Sequence, residues 1–435
     1  LLAGTALSWV ALALPIAGAK ADDQAAAGFW TRPTLLGDLG GVRPTLAKFG
    51  ISIGLNETSE IIGNLSGGIS RGSTYDGLTT MTFGLDTSQA FGWAGGTFNA
   101  SALQIHGRSL SANYLGNLQT ASGIEADRAT RLWELWYQQT FFKGAADVKL
   151  GQQSIDQEFM VSQGSALYVN TMMGWPMVPS ADLYAGGPAY PLSSLGVRLR
   201  GTRGPVTVLV GSFNDNPPGG PFSADPQELD ANGARFNLNT GVLTIAEIQY
   251  AGSTGTYKLG GWYDSARFAD QRYDVNGLPL AMTGGRPQLH EGNYSFYGVA
   301  DQTLSHFDTQ GQRVLSGFAR LMGAPGDRNL IDFSVNAGLN LKDPVANRVN
   351  DTAGIGFGIA QVGSISGFDE DAGSPVRGRE VFIEATYQAQ VAPWWVVQPD
   401  FQYVISPGAG GADPANPVVP IGDEAVLGLR TSITF

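Results

Sequence analysis

From residue 50 onward the chain keeps returning to one pattern: apolar and polar residues in alternation, broken by clusters of Gly, Asn, Ser and Pro. In "NLIDFSVNAGLNL", Ile331, Phe333, Val335, Ala337, Leu339 and Leu341 fall on one face. Asp332, Ser334, Asn336, Gly338 and Asn340 fall on the other. "EVFIEATYQAQV" sets Val381, Ile383, Ala385, Tyr387, Ala389 and Val391 against Glu380, Phe382, Glu384, Thr386, Gln388 and Gln390. "AVLGLRTSITF" opposes Leu427, Leu429, Ile433 and Phe435 to Gly428, Arg430, Ser432 and Thr434. A period of two belongs to β-strands, whose successive side chains point to opposite faces. The pattern predicts sixteen strands, near 50–60, 79–90, 96–106, 130–141, 146–153, 195–201, 205–213, 241–250, 256–264, 293–302, 313–321, 330–341, 353–362, 379–391, 394–405 and 424–435. In "YGVADQTL" the alternation leaves the face open. One helix is predicted, in "GGVRPTLAKFG" at 40–50, with Pro44 near its start, Leu46 and Phe49 on one face and Gly50 to close it.

The connections between strands mostly alternate in length. Long ones fall near 61–78, 107–129, 154–194, 214–240, 265–292, 363–378 and 406–422, and short ones include "FGWAG", "FKGA", "GTRG" and "AGSTG". The 322–329 connection is short for its place, and those at 303–312 and 342–352 are long for theirs. Long loops at one end and tight turns at the other are the plan of outer-membrane barrels. That plan decides which face points outward. Sixteen strands close a barrel too wide for wall side chains to fill. The apolar set therefore turns to lipid and the polar set to a watery lumen, while closure satisfies every backbone polar group in hydrocarbon. Trp93, Phe141, Phe142, Trp394 and Trp395 sit near strand ends, where interfacial girdles form. The fold class expected is all-β: a 16-stranded antiparallel transmembrane β-barrel with a short N-terminal periplasmic helical segment. Phe435 closes the last strand, a pattern that outer-membrane assembly machinery reads.

Composition narrows this further. Only 15% of the 435 residues are charged and 43% are hydrophobic, with 60 Gly. A net charge of -12 argues against nucleic-acid binding, whose usual footprint is a basic patch. The absence of Cys removes disulfides, thiolate metal sites and Cys nucleophiles. "LLAGTALSWVALALPIAGAKADD" reads as part of a secretory signal peptide (1–21), with Ala19-Lys20-Ala21 as an A-x-A cleavage site. An N-terminal periplasmic segment (22–49) and the barrel (50–435) follow, with no later run approaching the roughly 18 apolar residues of a spanning helix. Catalytic signals are thin. His106, His290 and His306 form no H-E-x-x-H, and there is no G-x-S-x-G elbow and no Walker loop. Glu380 and Glu384 share a strand face about 13 Å apart, too wide for a glycosidase pair. No enzyme activity, cofactor or metal is expected.

The longest irregular stretch, 154–194, joins two strands: "SIDQEFMVSQGSALYVNTMMGWPMVPSADLYAGGPAYPLSS". It has no basic residue and many Met, Gly, Pro and aromatic residues, and it is expected to fold inward and narrow the lumen. Alternation places candidate pore-lining side chains at Glu134, Trp136, Gln138, Lys149, Arg198, Arg200, Lys258, Trp262, Asp264, Asp332, Asn336, Glu384, Gln388, Asp400 and Arg430. Fixed donors and acceptors beside flat aromatic faces suit sugars, which present hydroxyls at their rims and C–H surfaces on their faces.

The chain resembles the OprB family of carbohydrate-selective porins from about Leu35 to Phe435. The stretches that carry the resemblance include "LLGDLGGVRPTLAKFGI" (35–51), "ALQIHG" (102–107), "GNLQ" (116–119), "RLWELWYQQ" (131–139), "GGPAYPLSSLGVRLR" (186–200), "GTYKLGGWYDS" (255–265), "VADQTL" (299–304), "APGDRNLIDFSVNAGLN" (324–340), "TYQAQVAPWWVVQPDFQY" (386–403) and "LGLRTSITF" (427–435). The resemblance implies passive uptake of sugars, glucose above all, through the outer membrane of a Gram-negative bacterium. It also implies inward loops that bring Arg, Glu and Trp to the narrow zone; Glu134, Trp136, Arg198 and Arg200 lie in matching stretches. One departure is local: family members carry an aromatic between the Asp and the Gly pair where this chain has Leu39. The implied partners are sugars, outer-membrane lipid and lipopolysaccharide, and the assembly machinery at Phe435; monomer and trimer both stay open. A general diffusion porin without a sugar site is the alternative.

Overall fold

A computed structural model describes residues 28–220, 224–308 and 311–435; the signal-peptide expectation for 1–21 lies outside the described residues. The wall begins with β1 (Ile51–Ser66), β2 (Gly72–Asp86), β3 (Gly96–Gly107), β4 (Ala129–Phe141), β5 (Ala146–Gln153) and β6 (Ser194–Arg203). It continues through β7 (Val206–Asn214), β8 (Val242–Ala251), β9 (Gly255–Asp274), β10 (Pro287–His306) and β11 (Val314–Gly323). Then come β12 (Ile331–Lys342), β13 (Thr352–Val362), β14 (Arg379–Ala392) and β15 (Trp395–Ile405). β16 (Ala412–Asp413) and β17 (Asn416–Pro420) form a separate small hairpin, and β18 (Glu424–Thr434) completes the wall by pairing with both β15 and β1. Among the described residues, sixteen strands thus close an antiparallel barrel with no free edge.

The faces alternate as lipid exposure demands. On β14, Glu380, Phe382, Glu384 and Thr386 are buried while Ile383 and Ala385 are exposed. On β12, Ser334, Asn336 and Asn340 are buried while Phe333 and Leu339 are exposed. Leu150, Leu199, Ile248, Leu259, Phe296, Leu321, Ile355 and Phe401 continue the exposed apolar band around the wall. In water such a surface would drive aggregation; in hydrocarbon it is the matching solvent.

Two predicted long connections are corrected. The one at 61–78 is a turn of residues 67–71, because β1 runs to Ser66 and β2 starts at Gly72. Alternation persists there, with Ile62 and Asn64 buried and Ile61 and Leu65 exposed, but the Ile61-Ile62 doublet and the Gly/Ser-rich text obscure it. The connection at 265–292 shrinks to 275–286. Beyond Tyr263 the exposed set of β9 turns to Ser265, Arg267 and Ala269. The hydrogen-bonded ladder with β10 continues past the apolar band, so apolar alternation ends before the strand does.

The N-terminal segment sits at the short-turn end. Its helix is shorter than predicted, Val42–Ala47, and starts from Gly41 in a left-handed conformation. Leu35 N donates to the Thr434 carbonyl at 2.7 Å, and Trp394 Nε1 donates to the Phe29 carbonyl at 3.0 Å. The Arg43 guanidinium donates to Thr34 Oγ1 at 2.8 Å and to the Phe435 carbonyl. These bonds hold the segment against the end of β18, next to the β1–β18 closure.

Candidate functional site

The lumen is partly filled. Between β5 and β6 the chain enters the barrel and buries Phe159, Met160, Tyr168, Met172, Met173, Trp175, Met177 and Val178. They pack against inward wall residues Leu209, Phe213, Trp262, Phe318 and Phe382 in one continuous apolar cluster. Each such side chain contributes about 1.5–3 kcal/mol by leaving water. The backbone of this segment has little regular structure of its own, so its polar groups need other partners.

Charged wall side chains supply them. Glu384 accepts from Val169 N at 2.5 Å and Asn170 N at 3.3 Å. Asp301 accepts from Ser162 Oγ at 2.6 Å, Gly164 N at 2.8 Å and Gln163 N at 3.1 Å. Glu247 accepts from Met160 N at 2.8 Å and Tyr297 OH at 2.9 Å. Arg320 donates to the carbonyls of Met160 (2.9 Å), Met172 (2.6 Å), Met173 (3.0 Å) and Gly174 (3.2 Å). It thereby satisfies carbonyls of the helical turn Thr171–Gly174 that have no partner along the helix. From the segment's side, Asp182 accepts from Ile331 N at 3.1 Å, and burial holds its carboxyl well above the usual range.

A second inward segment, between β3 and β4, braces the first. Thr171 N donates to the Thr120 carbonyl at 3.0 Å, and Gly123 N donates to the Val169 carbonyl at 2.8 Å. Glu380 accepts from Leu118 N and Gln119 N, each at 2.7 Å, and Gln402 Nε2 donates to the Ala121 carbonyl at 2.8 Å. Arg430 donates to Ser122 Oγ and Glu60 Oε2, at 2.9 and 2.8 Å. The sequence treats 107–129 as a plain long loop; only the partners across the lumen show that it turns inward.

The candidate residues separate into two groups. Trp136, Gln138, Lys149, Arg198 and Arg200 come together on β4–β6. Arg198 Nη2 donates to Gln138 Oε1 at 3.2 Å, and its guanidinium pairs with Asp147 and Glu158. Arg200 Nε donates to Asp147 Oδ2 at 2.6 Å, and its side chain stays 39% exposed. Lys149 pairs with Glu158 and lies 4.5 Å from the Trp136 ring centroid, a cation–π contact. Burial works to raise the Glu158 carboxyl, but Lys149 and Arg198 outweigh it and hold the group below its ordinary range. Glu134 sits beside this group, accepting from Ser154 N at 3.2 Å where the inward segment begins.

Trp262, Glu384, Asp400 and Arg430 face inward but are covered. Each is at most 3% exposed, because the inward segments lie directly on them. The expectation that Glu384 meets open lumen water is therefore corrected: it holds backbone instead. Asp400 accepts from Gln402 Nε2 at 2.9 Å. Gln388 lies toward the short-turn end, on a cavity of about 510 Å³ lined also by Gln163, Asn340, Lys342 and Thr352.

One inward charge escapes simple alternation. The β3–β4 register shifts between Ser101 and Ala102, which face Glu134 and Leu132, so Trp133 is bulged. Counting by twos from Glu134 sends Arg131 outward; the bulge brings it inward beside Leu103. Arg131 is 1% exposed, and its guanidinium nitrogens make no hydrogen bond to protein atoms.

The chain matches the family described as "Carbohydrate-selective porin, OprB family" over residues 70–435. Porin B of Pseudomonas aeruginosa is 25% identical over 436 residues, spanning 92% of this chain and 91% of that protein. The putative porin QuiX of Acinetobacter baylyi is 24% identical over 451 residues, spanning 94% of each. The high-pH structure of Pseudomonas putida OprB superposes with a TM-score of 0.84 at 24% identity, covering 94% of this chain and 100% of that one.

Proposed function

Because the chain belongs to the OprB family of carbohydrate-selective porins, we propose that sugars cross its lumen past the charge-paired cluster on β4–β6. The protein is an outer-membrane carbohydrate porin, and its fold is that of a channel. The observation that carries the proposed path is the group Asp147, Lys149, Glu158, Arg198 and Arg200 beside the Trp136 ring. Ion pairing fixes these donors and acceptors in place and cancels most of their net charge. Asp147 and Arg198 are buried and hold the group together, while Arg200, Glu158 and Gln138 stay part-exposed and offer a neutral sugar hydroxyl partners without the strong field that would favour an ion. The Trp136 face offers an apolar surface to its C–H groups, and Gln138 adds an amide. Binding of this kind is weak and spread over several contacts, which permits both entry and release. Transport is then passive and involves no bond-making step. The Gln388 mouth at the short-turn end is the proposed exit to the periplasm.

The test is a planar-bilayer recording with added sugars. Glucose and related sugars are expected to block the single-channel current in a saturable way. Liposomes carrying the protein should swell faster in sugar than in amino acid of equal size. Equal swelling rates and unblocked current would leave a general diffusion pore.

A further inference from the structure

Two buried carboxylates meet on the inner wall toward the long-loop end. Asp215 follows the last residue of β7, and Asp264 lies on β9. They flank the start of β8. Asp215 N donates to the Gly241 carbonyl at 3.4 Å, and Asp264 is the register partner of Leu243. Each is 0% exposed. One oxygen of each is taken by neighbours. Asp215 Oδ1 accepts from Thr240 Oγ1 at 2.5 Å and from Gly241 N at 2.7 Å, and Asp264 Oδ1 accepts from Ala266 N at 2.9 Å. The other oxygen of each, Oδ2, makes no hydrogen bond among the described residues.

Gly241 marks where the two carboxylates meet. A Cβ there would stand 2.7 Å from Asp215 Oδ2 and 3.1 Å from Ala266 N, the donor that holds Asp264. The absent side chain leaves both groups bordering one small space. The Asp215 charge acts on Asp264, and both act on the Tyr184 hydroxyl. Among the described residues no basic side chain pairs with either carboxylate. Arg267 pairs with Glu291 instead, and Arg328 with Asp327.

A buried carboxylate oxygen without a partner is strongly unfavourable, and a like charge beside it adds repulsion. A proton on one group leaves the other charged in the same buried place. A divalent cation answers both charges at once. The donors here are all oxygen, since the chain has no Cys and His290 is turned to Asp270. Oxygen donors in an irregular arrangement suit calcium, which accepts carboxylate, carbonyl and water ligands in flexible geometry.

We infer that Asp215 and Asp264 bind a calcium-class divalent cation through their Oδ2 atoms, in the space that Gly241 leaves open. The ion ties the root of the 214–241 connection to β9 beside the end of the inward segment. There the Tyr184 ring stacks on Phe268 with centroids 4.9 Å apart. Asn293, the other register partner of Asp264, donates to the Asp182 carbonyl at 3.2 Å. The inference does not rest on the sugar path.

The test is equilibrium dialysis of Ca2+ against the refolded, lipopolysaccharide-free barrel at pH 8, after treatment with chelator. The wild type is expected to hold one ion per chain. Asp215→Asn and Asp264→Asn each keep the Oδ1 that holds the backbone and replace Oδ2 by an amide that can donate to the remaining carboxylate. Both variants should therefore fold, which heat-modifiable gel mobility checks. Each should weaken Ca2+ binding by about tenfold or more. Glu291→Gln, at an exposed acid on β10, should bind as the wild type does. Ca2+ should also raise the unfolding temperature of the wild type and leave that of Asp264→Asn unmoved. No ion bound by the wild type would mean that a proton alone serves the pair. Undiminished binding by both Asn variants would place the ion elsewhere. Either result overturns the inference.

Discussion

At the scale of single residues, the inward charges divide by what they touch. Arg320 is 1% exposed and gathers four backbone carbonyls of the inward segment. Arg320→Met fills similar space but leaves those carbonyls unpaired, a loss of at least about 1.5–3 kcal/mol for a charged hydrogen-bond donor. Single-channel conductance should rise and become noisy as the segment loosens; unaltered conductance would show that Arg320 is not its anchor. Arg200 behaves differently because it is paired yet open to the lumen. Replacing Arg198 and Arg200 together by Ala leaves Asp147 without its cations, so ion preference should shift toward cations. The reversal potential in a salt gradient measures this, and an unmoved potential would take both residues off the path. Glu125, on the brace between β3 and β4, accepts from Ser111 N at 2.9 Å, and burial pushes its carboxyl up to about 7. A carboxyl whose folded-state affinity for protons is raised stabilises the fold at low pH, and that contribution is lost as pH rises through about 7. Limited proteolysis of the brace should be slower at pH 5 than at pH 8, and Glu125→Gln should flatten the difference.

At the scale of elements, the inward segment between β5 and β6 acts as a plug of side chains inside a wall too wide to fill itself. Met172 and Met173 are each 1% exposed within the apolar cluster. Met172→Ala should cost about 2–5 kcal/mol through the cavity it leaves, read as a lower temperature of segment release while the barrel stays heat-resistant. The β9–β10 hairpin is the opposite case. Its outward residues turn polar past Tyr263 and its tip carries Asn276-Gly277, so it projects from the long-loop end. An epitope inserted after Gly277 should be tolerated and should bind antibody on intact cells. Labelling only after the envelope is broken would reverse the assigned orientation. Neither element was fully legible in the text. Apolar alternation marks a strand only where its outer face meets lipid, so it stops short of the hairpin's polar end. The Met-rich text of 154–194 pointed to burial, but the brace at 108–128 carries no comparable signal.

At the scale of the whole molecule, closure joins the first and last strands of the wall. β18 pairs with β1, Phe435 N donates to the Leu55 carbonyl at 2.9 Å, and Arg43 grips the Phe435 carbonyl from outside the sheet. The barrel architecture was readable from the sequence alone, for a local reason. Lipid outside and water inside impose opposite demands on adjacent residues, and that demand is written at every second position of strands such as β12 and β14. The inward direction of Glu384, Arg198 and Arg430 followed from the same count. What each of them touches did not follow. Glu384 meets Val169 across more than two hundred positions of chain, and Arg131 turns inward only through a bulge set by its pairing with β3. Periodicity reports the environment of a single strand. Which inward side chains stay open to a sugar, and which are covered, depends on segments folding back across the lumen, and only the tertiary structure decides that.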